Sequence, residues 1–148
     1  MNKIAIVTGF SGQCGRIMSK ILLDKGYEVY GTMRRSSHPN LDFIKEMGLE
    51  DVKLIEMDLC DYHSVSKVIR DLQPELLFNF AAQSHVGTSF LQPELTQDIT
   101  GSGVLRILEA IRNESPKTKL LQASTSEMFG ASPAPQSEDT PFLIQSPY

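Results

Sequence analysis

The sequence predicts an α/β fold, a doubly wound parallel sheet of five strands with helices on both faces. Two observations carry that prediction. Short apolar runs of strand type alternate along the chain with segments whose apolar residues recur at helical spacing. Strands joined by helices make right-handed crossovers, and those crossovers build a parallel sheet. The first apolar run, Ile4-Ala5-Ile6-Val7, leads straight into Thr8-Gly9-Phe10-Ser11-Gly12-Gln13-Cys14-Gly15, a glycine-rich turn that opens a helix.

Each element has its own signal. Residues 4–7 form the first strand. Ile17, Met18, Ile21 and Leu22 then recur at helical spacing, and Lys25-Gly26 closes that helix with a basic residue and a glycine. Residues 28–33 read as the second strand, 41–47 as a short helix stopped at Gly48, and 52–57 as the third strand. Asp61 caps a further helix that carries Val65, Val68, Ile69 and Leu72 on one face. Pro74 opens a fourth strand over 75–81. A longer helix covers 93–113, with Leu95, Ile99, Val104, Leu105, Leu108 and Ile111 as its apolar stripe. Residues 119–123 form the fifth strand, and 132–148, rich in proline, serine and acids, read as loop. No repeat or low-complexity linker divides the chain, so residues 1–148 form one Rossmann-like domain.

Composition removes several function classes. A chain of 148 residues can bury a real core, and 41% apolar with 22% charged residues is ordinary for a globular domain. A net charge of -4, with no basic cluster beyond Arg34-Arg35, argues against a nucleic-acid surface. No apolar segment is long enough to cross a bilayer, and the four-residue run behind residues 1–3 is too short for a signal-peptide core. Cys14 and Cys60 make neither a disulfide framework nor a metal motif. The expectation is a cytoplasmic protein without nucleic-acid, membrane or metal partners.

A strand, a glycine turn and a helix start, in that order, hold a dinucleotide pyrophosphate. Gly9 allows the tight turn, Gly12 leaves room for the phosphates, and Gly15 lets the helix pack closely. Ser11, Gln13 and Cys14 fall in the same loop, whose helix N-terminus offers free N–H groups to an anion. Cys14 is either a thiol beside the bound phosphate or a small filler. The end of the second strand reads the adenosine ribose; an acid there binds the 2′-hydroxyl of NAD, and arginine favours the phosphate of NADP. Here it carries Arg34-Arg35-Ser36-Ser37, two guanidiniums and two hydroxyls suited to a phosphate monoester, so NADP is the expected cofactor. Asp58-Leu59 ends the third strand where adenine would lie, although Asp58 reads equally as a turn residue. Phe80-Ala81-Ala82-Gln83-Ser84 closes the fourth strand with small residues that let backbone approach the cofactor. Ser124-Thr125-Ser126-Glu127 ends the fifth, at the sheet edge where ligands of such folds lie.

These residues together resemble the extended short-chain dehydrogenase/reductase (epimerase/dehydratase) family and, within it, the GDP-mannose 4,6-dehydratases. The resemblance runs through the glycine turn, Arg34-Arg35-Ser36-Ser37, Asp58-Leu59 and Ala81-Ala82-Gln83-Ser84-His85-Val86. It continues through Gln122-Ala123-Ser124-Thr125-Ser126-Glu127-Met128-Phe129-Gly130, Glu138-Asp139-Thr140-Pro141-Phe142 and Ser146-Pro147-Tyr148. It implies a redox-neutral elimination on a nucleotide sugar, converting GDP-mannose to its 4-keto-6-deoxy derivative. Tyr148 and Glu127 would be the bases at O4 and C5. Thr125 would bond near O4, and Ser126 would act with Glu127 on the leaving hydroxyl. Ser84, His85 and Ser89 would contact substrate, with His85 equally readable as a packed, hydrogen-bonded histidine.

The chain also departs from that family pattern. Cys14 replaces a usual aspartate. The lysine expected four residues after Tyr148, the sixth strand and the C-terminal substrate domain lie outside the 148 residues. The expectation is therefore a domain truncated after the fifth strand, with little or no dehydratase activity of its own and with exposed apolar surface that favours aggregation or a stabilising partner. The longer family proteins are expected to be homo-oligomers. Other readings are a different nucleotide-sugar dehydratase, epimerase or keto-reductase, or a non-catalytic dinucleotide-binding module.

Overall fold

A computed structural model describes residues 3–38 and 41–148. Five strands, β1 (Ile4–Thr8), β2 (Glu28–Met33), β3 (Lys53–Glu56), β4 (Leu76–Asn79) and β5 (Lys119–Gln122), form one sheet in the order β3-β2-β1-β4-β5. Every pairing is parallel, so each connection is a crossover, and helices cover both faces as the alternation predicts. The order reverses at β1, whose neighbours are β2 and β4. That reversal opens a crevice at the carboxyl ends of the strands.

β1 shows why the sheet is double-faced. Ala5 and Val7 point to one side and pack with Phe10, Leu22, Val29, Phe43 and Leu49 beneath α1 (Gln13–Asp24) and α2 (Phe43–Glu46). Ile6 points to the other side and packs with Leu77, Val65, Ile69, Ile107 and Ala110 beneath α3 (Tyr62–Leu72) and α6 (Gly103–Glu114). A strand buried on both faces must be apolar at every position, which is the Ile-Ala-Ile-Val run.

Local signals set the helix ends. The Asp61 side chain accepts the His63 N–H at 2.9 Å and starts α3, while Gly26 at φ +75° turns the chain out of α1. The helix expected over 41–47 shrinks to the single turn of α2, followed by Gly48 at φ +63°. The long helix expected over 93–113 is a composite. A separate α4 (Val86–Leu91) precedes α5 (Pro93–Thr96), and a π-helical turn at Gln97–Ser102 joins α5 to α6.

The large apolar residues are not all on the buried faces. Gly15, Ser19 and Leu22 form the buried side of α1, leaving Ile17 and Ile21 exposed. In α6 the buried side is Gly103, Ile107, Ala110 and Ile111, and Leu105 and Leu108 are exposed, as is Leu95 in α5. Small residues alternate with Leu22, Ile107 and Ile111 on these buried faces, and they let the helices pack closely. β5 is an edge of the sheet, and its Leu121 is exposed as expected of an uncovered edge.

Candidate active site

A cavity of about 630 Å³ lies over the crevice. Its walls come from the glycine turn (Gly9, Gly12, Gln13, Cys14, Gly15), the end of β4 (Asn79, Phe80, Ala81, Ala82, Ser84), the end of β5 (Gln122, Ala123, Ser124, Thr125), the π-helical turn, and Pro147-Tyr148.

The glycine turn is shaped by contact as much as by torsion. Gly9 has φ +64°, and a Cβ there would meet the Ala81 nitrogen at 2.9 Å. A Cβ on Gly15 would stand 2.3 Å from the Gly9 carbonyl oxygen, so α1 can start only where residue 15 has no side chain. Gly12 caps α1 without a side-chain bond, which leaves the first N–H groups of the helix for a ligand.

Beneath the cavity floor runs a polar layer. Thr8, Asn79 and Gln122 are register neighbours on β1, β4 and β5. The fully buried Thr8 hydroxyl donates to Asn79 Oδ1 at 2.5 Å, and Asn79 Nδ2 donates to Gln122 Oε1 at 2.7 Å. Thr8 Oγ1 also accepts the N–H groups of Phe80 and Ala81 at 3.1 and 3.0 Å, tying the turn after β4 to the glycine turn. Asn79 carries no signal in the sequence beyond a polar residue near the end of an apolar strand, and Gln122, which opens the Gln122–Gly130 motif, shows its partnership with Asn79 only in the fold.

The β5 end has a different device. Ser124 adopts φ +51°, an uncommon conformation for a residue with a side chain, and redirects the chain out of the sheet. Thr125 Oγ1 then accepts the Glu127 N–H at 3.0 Å and caps a short 3₁₀ turn over Ser126–Met128. Thr125 lines the cavity; Ser126 and Glu127 follow it on the turn and do not line the wall. Tyr148 reaches the cavity because the loop after Gly130 folds back: Ser132 Oγ donates to the Pro141 carbonyl at 2.7 Å, and Phe129 meets Phe142 edge to face.

Several expected site residues carry structural bonds. Gln83 Nε2 donates to the Thr96 hydroxyl and the His85 carbonyl, and its Oε1 accepts from His85 N–H, so its side chain braces the loop against α5. His85 is exposed and caps α4, its Nδ1 accepting the Thr88 N–H at 3.0 Å, rather than being a packed histidine. Ser89 is fully buried and donates to the Val86 carbonyl at 2.6 Å; it lies off the cavity wall. Asp58 Oδ1 accepts the Cys60 N–H at 2.9 Å, the turn role weighed above, and the Leu59 side chain is buried in the core. Ser11, Arg34, Arg35 and Ser36 are exposed outside the cavity wall, and neither arginine makes an ion pair among the described residues.

A family model described as GDP-mannose 4,6 dehydratase matches residues 6–148. The chain belongs to the GDP-mannose 4,6-dehydratase family. GDP-mannose 4,6 dehydratase 2 of Arabidopsis thaliana is 45% identical over 99% of this chain, as is GDP-mannose 4,6-dehydratase of Vibrio cholerae serotype O1. The chain spans 42% of the length of each of these relatives. Among solved structures, the UDP-glucose 4-epimerase of Thermus thermophilus in complex with NAD superposes with a TM-score of 0.83 at 29% identity. That match covers 98% of this chain and 46% of the epimerase. Among the described residues no helix is long and apolar enough to cross a membrane, and no cluster suits a metal ion.

In this GDP-mannose 4,6-dehydratase family chain, the π-helical turn is locked from behind by Arg106. One guanidinium nitrogen donates to the Leu59 and Asp98 carbonyls at 2.9 and 3.1 Å, and another donates to the Asp98 carboxylate at 2.7 Å. The same guanidinium, followed by a bond from Cys60, holds the Asp98 carboxyl below its ordinary pKa. Arg106→Met strands the carbonyl of buried Leu59 and should lower the thermal midpoint by at least ~3 °C. A shift under ~1 °C would show that the clamp contributes nothing in solution.

The two cysteines should differ sharply in reactivity. Burial first, then the bond to Asp98 and the charges of Asp98 and Asp58, push the Cys60 thiol up to about 11. At pH 8 it stays protonated, and a thiol reacts through its thiolate. Cys14 is exposed. Iodoacetamide at pH 8 should therefore modify Cys14 first, as read by peptide mass; equal rates would contradict the placement of Cys60.

Proposed function

We propose that this chain is the NADP-binding portion of a nucleotide-sugar 4,6-dehydratase, a lyase acting on GDP-mannose. The observation that carries the reading is the cradle built from Gly9, Gly12 and Gly15 beside Arg34 and Arg35, which make no ion pair among the described residues. The groups fit the cofactor. Gln13 and Cys14 offer N–H groups to the pyrophosphate, with Ser11, Gly12 and Gly15 completing the turn; the Gly12 N–H is held by the Gly9 carbonyl at 2.9 Å. Arg34, Arg35 and Ser36 suit the 2′-phosphate, and no carboxylate stands among them to favour a free 2′-hydroxyl. Asp58 and Leu59 would face adenine through the turn at β3. Phe80, Ala81, Ala82, Gln83 and Ser84 would flank the cofactor from β4.

Bound NADP would supply a hydride acceptor for sugar C4 and a donor for C6. The protein's own groups would manage the protons. Tyr148, on the cavity wall, would take the O4 proton, and Glu127 would take the C5 proton once the 4-keto group acidifies it. Thr125 accepts the Glu127 N–H with its oxygen, which leaves its own O–H to donate near O4. Ser126 with Glu127 would protonate the departing 6-hydroxyl. Ser84 at the cavity wall and the exposed His85 at the start of α4 are the substrate-side assignments; Ser89, fully buried and bonded to the Val86 carbonyl, would support them from behind instead of touching substrate.

One observation favours a narrower role for the 148 residues by themselves. Among the described residues no lysine or arginine lines the cavity beside Tyr148. A tyrosine works as a general base where a nearby cation stabilises its phenolate. The 148-residue chain is then a dinucleotide binder with little turnover. The test is NADPH fluorescence titration together with alkylation of Cys14. Saturable binding that protects Cys14 supports the reading. Unchanged alkylation under saturating NADPH would place the nucleotide elsewhere.

A further inference from the structure

The chain has six arginines, and their pairing divides them into two groups. Arg70, Arg106 and Arg112 each sit against a carboxylate. Arg16, Arg34 and Arg35 make no ion pair among the described residues; Arg16 is in the first turn of α1, which follows β1, and Arg34 and Arg35 follow its neighbour β2. Arg34 and Arg35 belong to the cofactor reading already given. Arg16 had no role in the sequence reading.

Its geometry is fixed from two sides. Arg16 Nε donates to the carbonyl of Ser11, in the glycine turn, at 2.8 Å. Its guanidinium carbon stands 3.8 Å from the centroid of the Phe43 ring, at the start of α2. Phe43 in turn packs on Phe10, with ring centroids 5.4 Å apart, and Phe10 N–H reaches the Thr32 carbonyl near the end of β2. Arg16 therefore links the glycine turn to the start of α2, and the same Phe43–Phe10 stack is tied to the end of β2, the strand that Arg34 and Arg35 follow. Its two terminal nitrogens take no hydrogen-bond partner among the described residues. A guanidinium that rests over an aromatic ring can keep its terminal N–H groups for a ligand, and that fork is the geometry that grips a phosphate.

We propose that Arg16 is a third ligand of the adenosine 2′-phosphate and sets this chain's preference for NADP over NAD. The inference rests on the NADP reading above and adds a residue to it. Three guanidiniums drawn to one phosphate would repel one another until a dianionic phosphate monoester arrives; a free ribose hydroxyl would leave that repulsion in place. Arg16 differs from the other two in being half-buried and already ordered by its ring contact, so less side-chain freedom is lost on binding.

Calorimetric titration of the 148-residue protein with NADPH and with NADH tests both layers separately. The wild-type ratio of the two affinities reports on the NADP reading: NADPH should bind at least ~10-fold more tightly, and equal affinities would overturn it and the proposal together. The variants report on Arg16. Arg16→Met retains the stem on Phe43 and should weaken NADPH about 10-fold while NADH changes less than about 2-fold; Arg16→Lys, a charge without the fork, should recover part of the loss. Equal losses for both nucleotides would make Arg16 a prop for the glycine turn, and unchanged NADPH affinity would remove it from the site; either overturns the proposal. A thermal melt of each variant checks folding. If Arg16→Met is unfolded, the decision falls to Arg16→Lys, whose NADPH-to-NADH affinity ratio must fall for the proposal to stand.

Discussion

Gly15→Ala should abolish dinucleotide binding and destabilise the fold by about 2 kcal/mol or more. The added methyl would stand 2.3 Å from the Gly9 oxygen and 2.9 Å from the Phe10 Cα, both backbone atoms with no rotamer to yield. Relief requires α1 to retreat or the glycine turn to open. Either movement displaces the helix N–H groups from the place where an anion would rest, and each lost bond of ~1.4 kcal/mol weakens binding about tenfold. Gly12→Ala is the internal control. Its methyl meets only the Gly9 oxygen at 3.2 Å, so folding should survive. Urea unfolding and NADPH titration read the two quantities separately. A Gly15→Ala protein of wild-type stability would mean that α1 does not start against the turn as described.

The second large effect is expected beneath the cavity. Asn79→Leu keeps the volume but leaves the fully buried Thr8 hydroxyl without its acceptor, and should cost about 2–3 kcal/mol. Asn79→Asp separates geometry from charge. A carboxyl buried at that position has its pKa raised above the unfolded value of ~3.9, because desolvation opposes ionisation. The unfolded state then releases its proton at lower pH than the folded one, so the variant's stability falls as pH rises above ~4 and is greatest below it. Denaturant midpoints measured at pH 3.5 and pH 7 should show a larger penalty for Asn79→Asp at pH 7. A penalty independent of pH would show that the Asn79 position is hydrated.

Most of the architecture was legible because it follows from strands that must be apolar on both faces. Ile6 and Val7 could only belong to a central strand, and Gly26 and Asp61 mark helix ends through torsion and capping. Ile17, Ile21, Leu105 and Leu108 misled in a consistent way. Periodicity identifies large apolar residues, and it found Leu22 and Ile111, whereas the buried faces also include the small residues Gly15, Ser19, Gly103 and Ala110. The glycine turn, Thr125 and Tyr148 could be read as a site because the motifs name them. Asn79 and Gln122 could not, since their partnership depends on strand register between residues 43 positions apart. Arg16 was invisible for a related reason: its meaning comes from Phe43, and only folding brings that ring beneath it. The composite helix was hidden too, because the π-helical turn and Arg106 clamp leave no mark on apolar spacing.

One placement is central: a dinucleotide pyrophosphate on the N-terminus of α1. A crystal structure of the chain grown with NADPH tests it most directly. Phosphate oxygens are expected within hydrogen-bond distance of the Gln13 or Cys14 N–H groups, and the 2′-phosphate among Arg34, Arg35 and Ser36. A nucleotide bound away from the glycine turn, or an adenosine end turned from those arginines, would contradict it.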